Sequence, residues 1–106
     1  MTFADYMRKS IIIVQTKDAN RVKVYEKDNG EIEIAVDLHN LPKEEAKRLV
    51  NQIIDVNNIE FSLKIIHGYH GGTVLKSMVK HELKNRRIVN RYTPSWNPGS
   101  TYLAIV

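Results

Sequence analysis

The strongest pattern in the chain is an alternation. Ile32, Ile34, Val36 and Leu38 fall on one face, and Glu31, Glu33, Ala35, Asp37 and His39 on the other. This is the period of a half-buried strand. Upstream, Val22-Lys23-Val24-Tyr25 is separated from it by Asp28-Asn29-Gly30, whose Asn and Gly tolerate positive φ, so the two runs are predicted to form a hairpin. Beyond Leu41 the period changes. Ala46, Leu49, Val50, Ile53 and Ile54 recur at helical spacing, with Pro42 at the start and Lys43-Glu44-Glu45 bringing acid to the first turn. Asp55 to Asn58 end this helix. Phe61 to Ile66 is β-rich and predicts a buried strand. A second helix is expected from about Thr73 to Asn85, with Leu75, Met78, Val79 and Leu83 as its apolar stripe. Ile88 to Tyr92 predicts a strand, Thr93 to Ser100 a loop containing Pro94 and Pro98, and Thr101 to Val106 a closing strand. Ile11 to Val14 is too short for periodicity to separate strand from helix.

A strand–helix–strand unit with short connections makes its strands parallel. The first good strand keeps a polar outer face, so both helices are expected on the other side. The predicted architecture is an α/β (α+β) two-layer sandwich: a mixed β-sheet with two helices on one face and a β-α-β-α-β-β core. Residues 1–30 form an N-terminal extension that includes the hairpin strand, and residues 31–106 form the domain proper.

With 106 residues the chain holds one domain and one core. It has no cysteine, which excludes a disulfide framework and thiolate chemistry. Its longest aliphatic run, Ile11 to Val14, is far short of the roughly 20 residues that span a bilayer, and Met1 to Ser10 lack the character of a secretory signal. A cytoplasmic protein without membrane association is expected. The net charge is +4, unevenly placed. Residues 1–59 carry 9 basic and 10 acidic side chains, and residues 60–106 carry 7 basic and 2 acidic. A basic half suits a polyanion partner, or forms a solvated face.

Candidate chemistry gathers at one edge of the predicted sheet. Asp37 and His39 lie at the carboxyl end of the first parallel strand, and His67 and a glycine loop at the carboxyl end of the next. Ligands of open α/β sheets collect outside this edge. Asp37 and His39 project to the same side, where a carboxylate can hold an imidazole in one tautomer; an ordinary polar strand end reads the same way. His67-Gly68-Tyr69-His70-Gly71-Gly72 leads into Thr73 and a helix. Such a loop either turns its N–H groups toward an anion or serves as a tight turn needing positive φ. It has neither P-loop nor Rossmann spacing. Lys76, Lys80 and Lys84 form a stripe on the second helix, extended by Arg86, Arg87 and Arg91, that suits either a phosphate backbone or water. His81 is expected to be structural or solvated. Tyr69, Tyr92 and Trp96 are placed to stack on unpaired bases or to anchor loops. No H-E-x-x-H or similar metal spacing occurs.

Three segments, in order, resemble the Smr (small MutS-related) domain over roughly Ile32 to Val106. Val36-Asp37-Leu38-His39, followed by Asn40-Leu41 and a helix with Glu45-Ala46, is similar to the family's Leu-Asp-x-His motif. Ile65 to Lys76 resembles its His-Gly-x-Gly-x-Gly loop and following helix. Asn97-Pro98-Gly99-Ser100-Thr101 resembles its glycine-containing ending. His70 stands where the family usually has glycine, and Asn40 where glycine is frequent. The resemblance implies a fold similar to the C-terminal domain of translation initiation factor three. It also implies nucleic-acid binding, often with endonuclease activity on RNA or on branched or nicked DNA, and in some members action on messenger RNA at ribosomes.

Together these lead to an expected endonuclease mechanism with RNA preferred over DNA and the ribosome as a candidate partner. His39, oriented by Asp37, is the expected general base, and His67 the proton donor or stabiliser of phosphorane charge. Gly68, Tyr69, His70, Gly71, Gly72, Thr73, Lys76 and Lys80 are the expected phosphate contacts. No cofactor and no metal ligand is indicated, although water attack on DNA would make use of a divalent ion. The rival expectation is a non-catalytic RNA- or ribosome-binding module.

Overall fold

The computed structural model describes residues 20–68 and 73–106. Residues 1–19, which include Ile11 to Val14, lie outside the described residues, as do Tyr69, His70, Gly71 and Gly72 of the glycine loop. The described elements run β1 (Val22–Glu26), β2 (Ile32–Asp37), α1 (Lys43–Val56), β3 (Phe61–Ile66), α2 (Thr73–Ser77, continued as a π-helical turn over Met78–Glu82), β4 (Ile88–Tyr92) and β5 (Ser100–Ile105).

The sheet order is β1-β2-β3-β5-β4. Strands β1 and β2 are antiparallel with Val22 opposite Val36, and β2 and β3 are parallel with Ile34 opposite Leu63. Strand β5 runs antiparallel to both β3 and β4. Strand β4 is therefore parallel to β2 and β3. The β3–α2–β4 crossover leaves a gap one strand wide, and β5 fills it. The hairpin turn forms as expected: Gly30 takes φ +85°, its N–H donates to Lys27 O at 2.9 Å, and Asn29 Oδ1 accepts from Glu31 N–H at 3.0 Å.

Cross-strand rows explain the two faces. Ile34, Leu63 and Leu103 align on one side and are all but inaccessible; so do Val36, Ile65 and Thr101. The aliphatic members of these rows share a single apolar cluster with Ala46, Leu49, Val50, Ile53 and Ile54 of α1 and Leu75, Met78, Val79 and Leu83 of the α2 segment. Both helices thus cover one face, which makes the molecule a two-layer α+β sandwich. Among the described residues, the opposite face of the sheet has no helix over it. No described helix is long and apolar enough to cross a membrane.

Two expectations for the basic half need correction. The second helix does not run as an α-helix to Asn85. From Met78 it becomes a π turn in which Leu83 N–H donates to Met78 O at 2.8 Å. The Val79 carbonyl, which an α-helix would offer to Leu83, instead accepts from Arg91 Nη1 at 2.6 Å. The ladder therefore slips by one residue, a local widening of the kind that arises when a side chain competes for a helix carbonyl. Arg91 is consequently turned into the fold and does not extend a lysine stripe. Nor does Arg87, whose guanidinium donates to backbone carbonyls of Ile54, Asn57, Ile59 and Val106. Lys43 and Glu82, 3.0 Å apart, tie the start of α1 to the end of the π turn.

Candidate functional site

Asp37 is the last residue of β2, and the chain turns immediately beyond it. Leu38 continues the ladder by donating to Ile66 O at 2.8 Å and buries its side chain completely. Leu41 N–H then returns to Leu38 O at 3.0 Å, with Asn40 at φ +68°. The third position of such a turn favours glycine, and asparagine is among the residues best able to replace it. Within this turn Asp37 Oδ1 accepts twice from His39, from the backbone N–H at 3.1 Å and from ring Nδ1 at 2.5 Å. The backbone bond is the local Asx arrangement open to an aspartate two residues ahead of a free N–H. It swings the imidazole onto the carboxylate. With the Nδ1 proton held by Asp37, Nε2 carries the lone pair and has no protein partner among the described residues. The side chain is 56% exposed.

Arg21, just ahead of β1, completes this corner. Its Nη1 donates to the carbonyls of Asp37 and His39, each at 3.1 Å, and so clamps the backbone on both sides of the pair. Sequence reasoning missed it, although the signal existed: a hairpin centred on Asn29 sets Arg21 opposite Asp37. A concavity of about 330 Å³ opens alongside, lined by Arg21, Lys23, Tyr25, Asp37, Lys64 and Ile66 among others.

The strand ends of β2 and β3 converge as the topology requires. Gly68, at φ +89°, lies against the turn, and a Cβ placed on it would stand 3.9 Å from the His39 Cβ. Space is adequate there, so it is the backbone conformation that calls for glycine. The N–H groups of His67 and Gly68 both donate to Gly99 O at 3.0 Å. The amide of Gly68 is therefore occupied within the protein and is not turned to an anion. Gly99 precedes β5, so all three motif segments meet at this edge.

His67 differs most from expectation. Its side chain is 1% exposed. Nδ1 lies 3.3 Å from Gly68 O, and Nε2 lies 2.9 Å from Thr101 Oγ1, which in turn is 2.7 Å from Thr93 Oγ1. A carbonyl only accepts, so Nδ1 carries the proton. Nε2 then accepts from the Thr101 hydroxyl, and Thr101 accepts from Thr93. Burial lowers the His67 pKa below 6.5, the positive charges of Lys76 and Lys80 add to the fall, and the Gly68 carbonyl opposes it. The unfolded chain therefore takes up a proton near pH 6.5 that the folded chain resists, and stability is lost as pH falls through and below that value. Thermal melts between pH 7.5 and 5 should show this loss, and His67→Asn should flatten it. An equal slope in both proteins would mean that other groups set the acid limit.

Lys76 is half-buried and Lys80 exposed; both bear on the His67 charge from the helical side. Thr73 is exposed at the first turn of α2. Asp37, His39, Gly68 and His67 are thus gathered at one edge, with His67 beneath the surface. Trp96 is exposed in the β4–β5 loop at the same edge. No group of three or more His, Asp or Glu side chains among the described residues is arranged to hold a metal ion.

A family model described as Smr domain matches residues 36–101, a span that begins one residue before Asp37 and ends at Thr101. No curated protein and no solved structure matches the chain.

Proposed function

The chain belongs to the Smr domain family, a family of nucleic-acid-binding, nuclease-like modules, and on that premise we propose that it cleaves RNA strands at the Asp37–His39 corner. The observation that carries this reading is the carboxylate-held imidazole, half exposed, with Nε2 unpartnered among the described residues at the carboxyl edge of a basic α/β sheet. In the proposed step Nε2 takes the proton of a ribose 2′-hydroxyl. The 2′ oxygen attacks the adjacent phosphorus, the bond to the 5′ oxygen breaks, and that oxygen leaves with a proton from the imidazolium or from water. Asp37 keeps the ring in the tautomer the step needs and stabilises the imidazolium that forms. Arg21 fixes the backbone of both residues. His67, neutral and covered, supports the junction of β3 with its loop through Thr101 and Gly99; this role replaces the proton donation expected of it. Lys76 and Lys80 are the proposed contacts to flanking phosphates, joined by Thr73 and by Tyr69, His70, Gly71 and Gly72 of the loop.

The test is the chemistry of the ends. Purified protein incubated with single-stranded RNA should leave a 2′,3′-cyclic or 3′ phosphate, and a substrate with 2′-deoxy sugars should resist. Cleavage of both substrates with a 5′ phosphate product would point to water as nucleophile and refute 2′-hydroxyl attack. Lys80→Ala should weaken binding and lower the slope of log affinity against log salt by about 0.7, the share of one phosphate on a single strand. An unchanged slope would remove Lys80 from the interface.

A second reading, binding to RNA or the ribosome without cleavage, has one observation in its favour. The burial of His67 leaves this corner a single accessible imidazole among the described residues. Binding with no strand cleavage by wild-type protein would select it.

A further inference from the structure

The open face of the sheet carries a row of side chains that the candidate corner does not account for. Register places Lys23 opposite Ala35, Ala35 opposite Lys64, Lys64 opposite Tyr102, and Tyr102 opposite Tyr92. The row crosses all five strands without a carboxylate. It lies one row, about 7 Å, from that of Asp37 and Ile66. Its right-hand end is a built stack. The Tyr92 and Tyr102 rings are 5.3 Å apart between centroids and inclined by 13°, and the Lys64 ammonium lies over Tyr102 at 5.9 Å. One face of the Tyr102 ring is therefore met by a cation and the other by Tyr92. Tyr92 sits on the edge strand, with no strand of the sheet beyond it, and is 54% exposed.

A tyrosine pair on a sheet is ordinarily explained as a cross-strand contact that stabilises the sheet. Here three further observations go beyond that. The exposed member is the outermost ring, where packing contributes least. Strands β3, β4 and β5 carry no acid, and Lys64 is the cation they bring to this row, Arg91 being committed to the Val79 carbonyl. Lys64 also lines the concavity beside Asp37, so the stack and the candidate corner share one continuous surface. Glu33, the other carboxylate of that concavity, is 3.9 Å from Lys27. Flat exposed rings flanked by ammonium groups match unpaired bases flanked by phosphates, and a duplex, whose bases are stacked on each other, has no ring face to offer.

We propose that the open sheet face is a platform for single-stranded nucleic acid, on which an unpaired base stacks against the outer face of Tyr92 while Lys64 and Lys23 meet the phosphates leading to the Asp37–His39 corner. This rests on the nucleic-acid reading above and adds to it the strandedness of the ligand and the surface that selects it.

The experiment measures binding of a fluorescein-labelled oligoadenylate of about 12 nucleotides, alone and annealed to its complement, in a His39→Ala background so that no strand is cut. The single strand should bind more tightly than the duplex. Tyr92→Ala should weaken single-strand binding about 5- to 100-fold and leave duplex binding unchanged. Tyr92→Phe, which keeps the ring, should bind as the parent does, and Lys64→Ala should weaken binding with a smaller salt slope. Thermal melts establish that each variant is folded. Equal single-strand affinity for Tyr92→Ala and parent, equal losses for Tyr92→Ala and Tyr92→Phe, or equal affinity for the two oligonucleotides would overturn the platform while leaving the nucleic-acid reading intact. Failure of the parent to bind either oligonucleotide would overturn both.

Discussion

Replacing His39 with alanine should lower the rate of RNA cleavage by about 10²- to 10⁴-fold, the usual consequence of removing a positioned base, without unfolding the protein or releasing the strand. The expectation follows from where the ring sits. It is half exposed, it belongs to a turn closed by Leu41 N–H to Leu38 O and clamped by Arg21 on the backbone rather than through the ring, and it contributes nothing to the apolar cluster. Asp37→Asn is the sharper variant. The amide has nearly the same shape, and its oxygen still accepts from Nδ1, so ring position is kept while the negative charge opposite the forming imidazolium is lost. A fall in the rate constant with binding held within about 3-fold assigns Asp37 to the chemical step, because an interaction made only in the transition state lowers kcat without raising KM. A rise in KM alone would make Asp37 a binding group. Wild-type rates reproduced by both variants would trace the cleavage to a contaminating nuclease and end the enzyme reading.

The largest loss of stability is expected elsewhere, at Arg87. Helix α1 ends at Val56, with Asn57 as its capping residue and no basic residue in its last turn, so its terminal carbonyls need partners from elsewhere. Asn57 caps one of them, donating from Nδ2 to Ile53 O at 2.6 Å. Arg87 arrives from a distant part of the chain and bonds another, that of Ile54, together with three carbonyls beyond the helix: Nη1 donates to Ile54 and Asn57, Nη2 to Ile59 at 2.8 Å, and Nε to Val106 at 2.7 Å. One planar guanidinium thus satisfies the end of a helix, the loop into β3 and the end of β5. It also sets a full positive charge where the helix dipole is negative. Arg87→Ala leaves several carbonyls without a partner and should cost about 3 to 4 kcal/mol, given that a charged hydrogen bond contributes about 1.5 to 3 and that such terms do not add fully. In a domain of this size that corresponds to a fall in Tm of more than about 10 °C. Arg87→Lys should recover little, because a single ammonium cannot reach carbonyls on three segments at once. A Tm lowered by less than about 3 °C in the alanine variant would show that water replaces the guanidinium at small cost.

The contrast between these two arginine-assisted corners clarifies what a basic composition means. The excess of Lys and Arg in residues 60–106 invites a reading as a polyanion surface. Arg87 and Arg91 are instead committed to backbone carbonyls, and Arg91 in doing so opens the π turn beneath Lys80. Lys64, Lys76 and Lys80 are the cations left to act outward on the strands and helix nearest the candidate corner. Arg21, from the half of the chain with no basic excess, lies closer to the candidate chemistry than any of the arginines of the basic half.

Local order carried most of the architecture. The alternation through Ile32 to Leu38, the turn at Asp28-Asn29-Gly30 and the helical repeat from Ala46 to Ile54 each reappear at the expected place, because burial on one face dictates period and glycine dictates the turn. The same pattern put Asp37 and His39 on one side of a strand end and brought them beside Gly68, since parallel strands deliver their carboxyl ends to a common edge. Other features depend on contacts between residues far apart in the chain, which no periodicity encodes. Whether a histidine at a strand end faces solvent or Thr101 turns on which neighbours close over it, and the last strand, by inserting between β3 and β4, covers His67 and leaves His39 open. The slip of the second helix follows from Arg91 reaching Val79, and the alignment of Lys64, Tyr102 and Tyr92 from a strand order that sequence order conceals. Residue types and local spacing therefore specify the elements and the Asp37–His39 pairing, whereas solvent access and cross-sheet alignment arise only when the strands are shuffled into one layer, because both are properties of neighbours rather than of sequence.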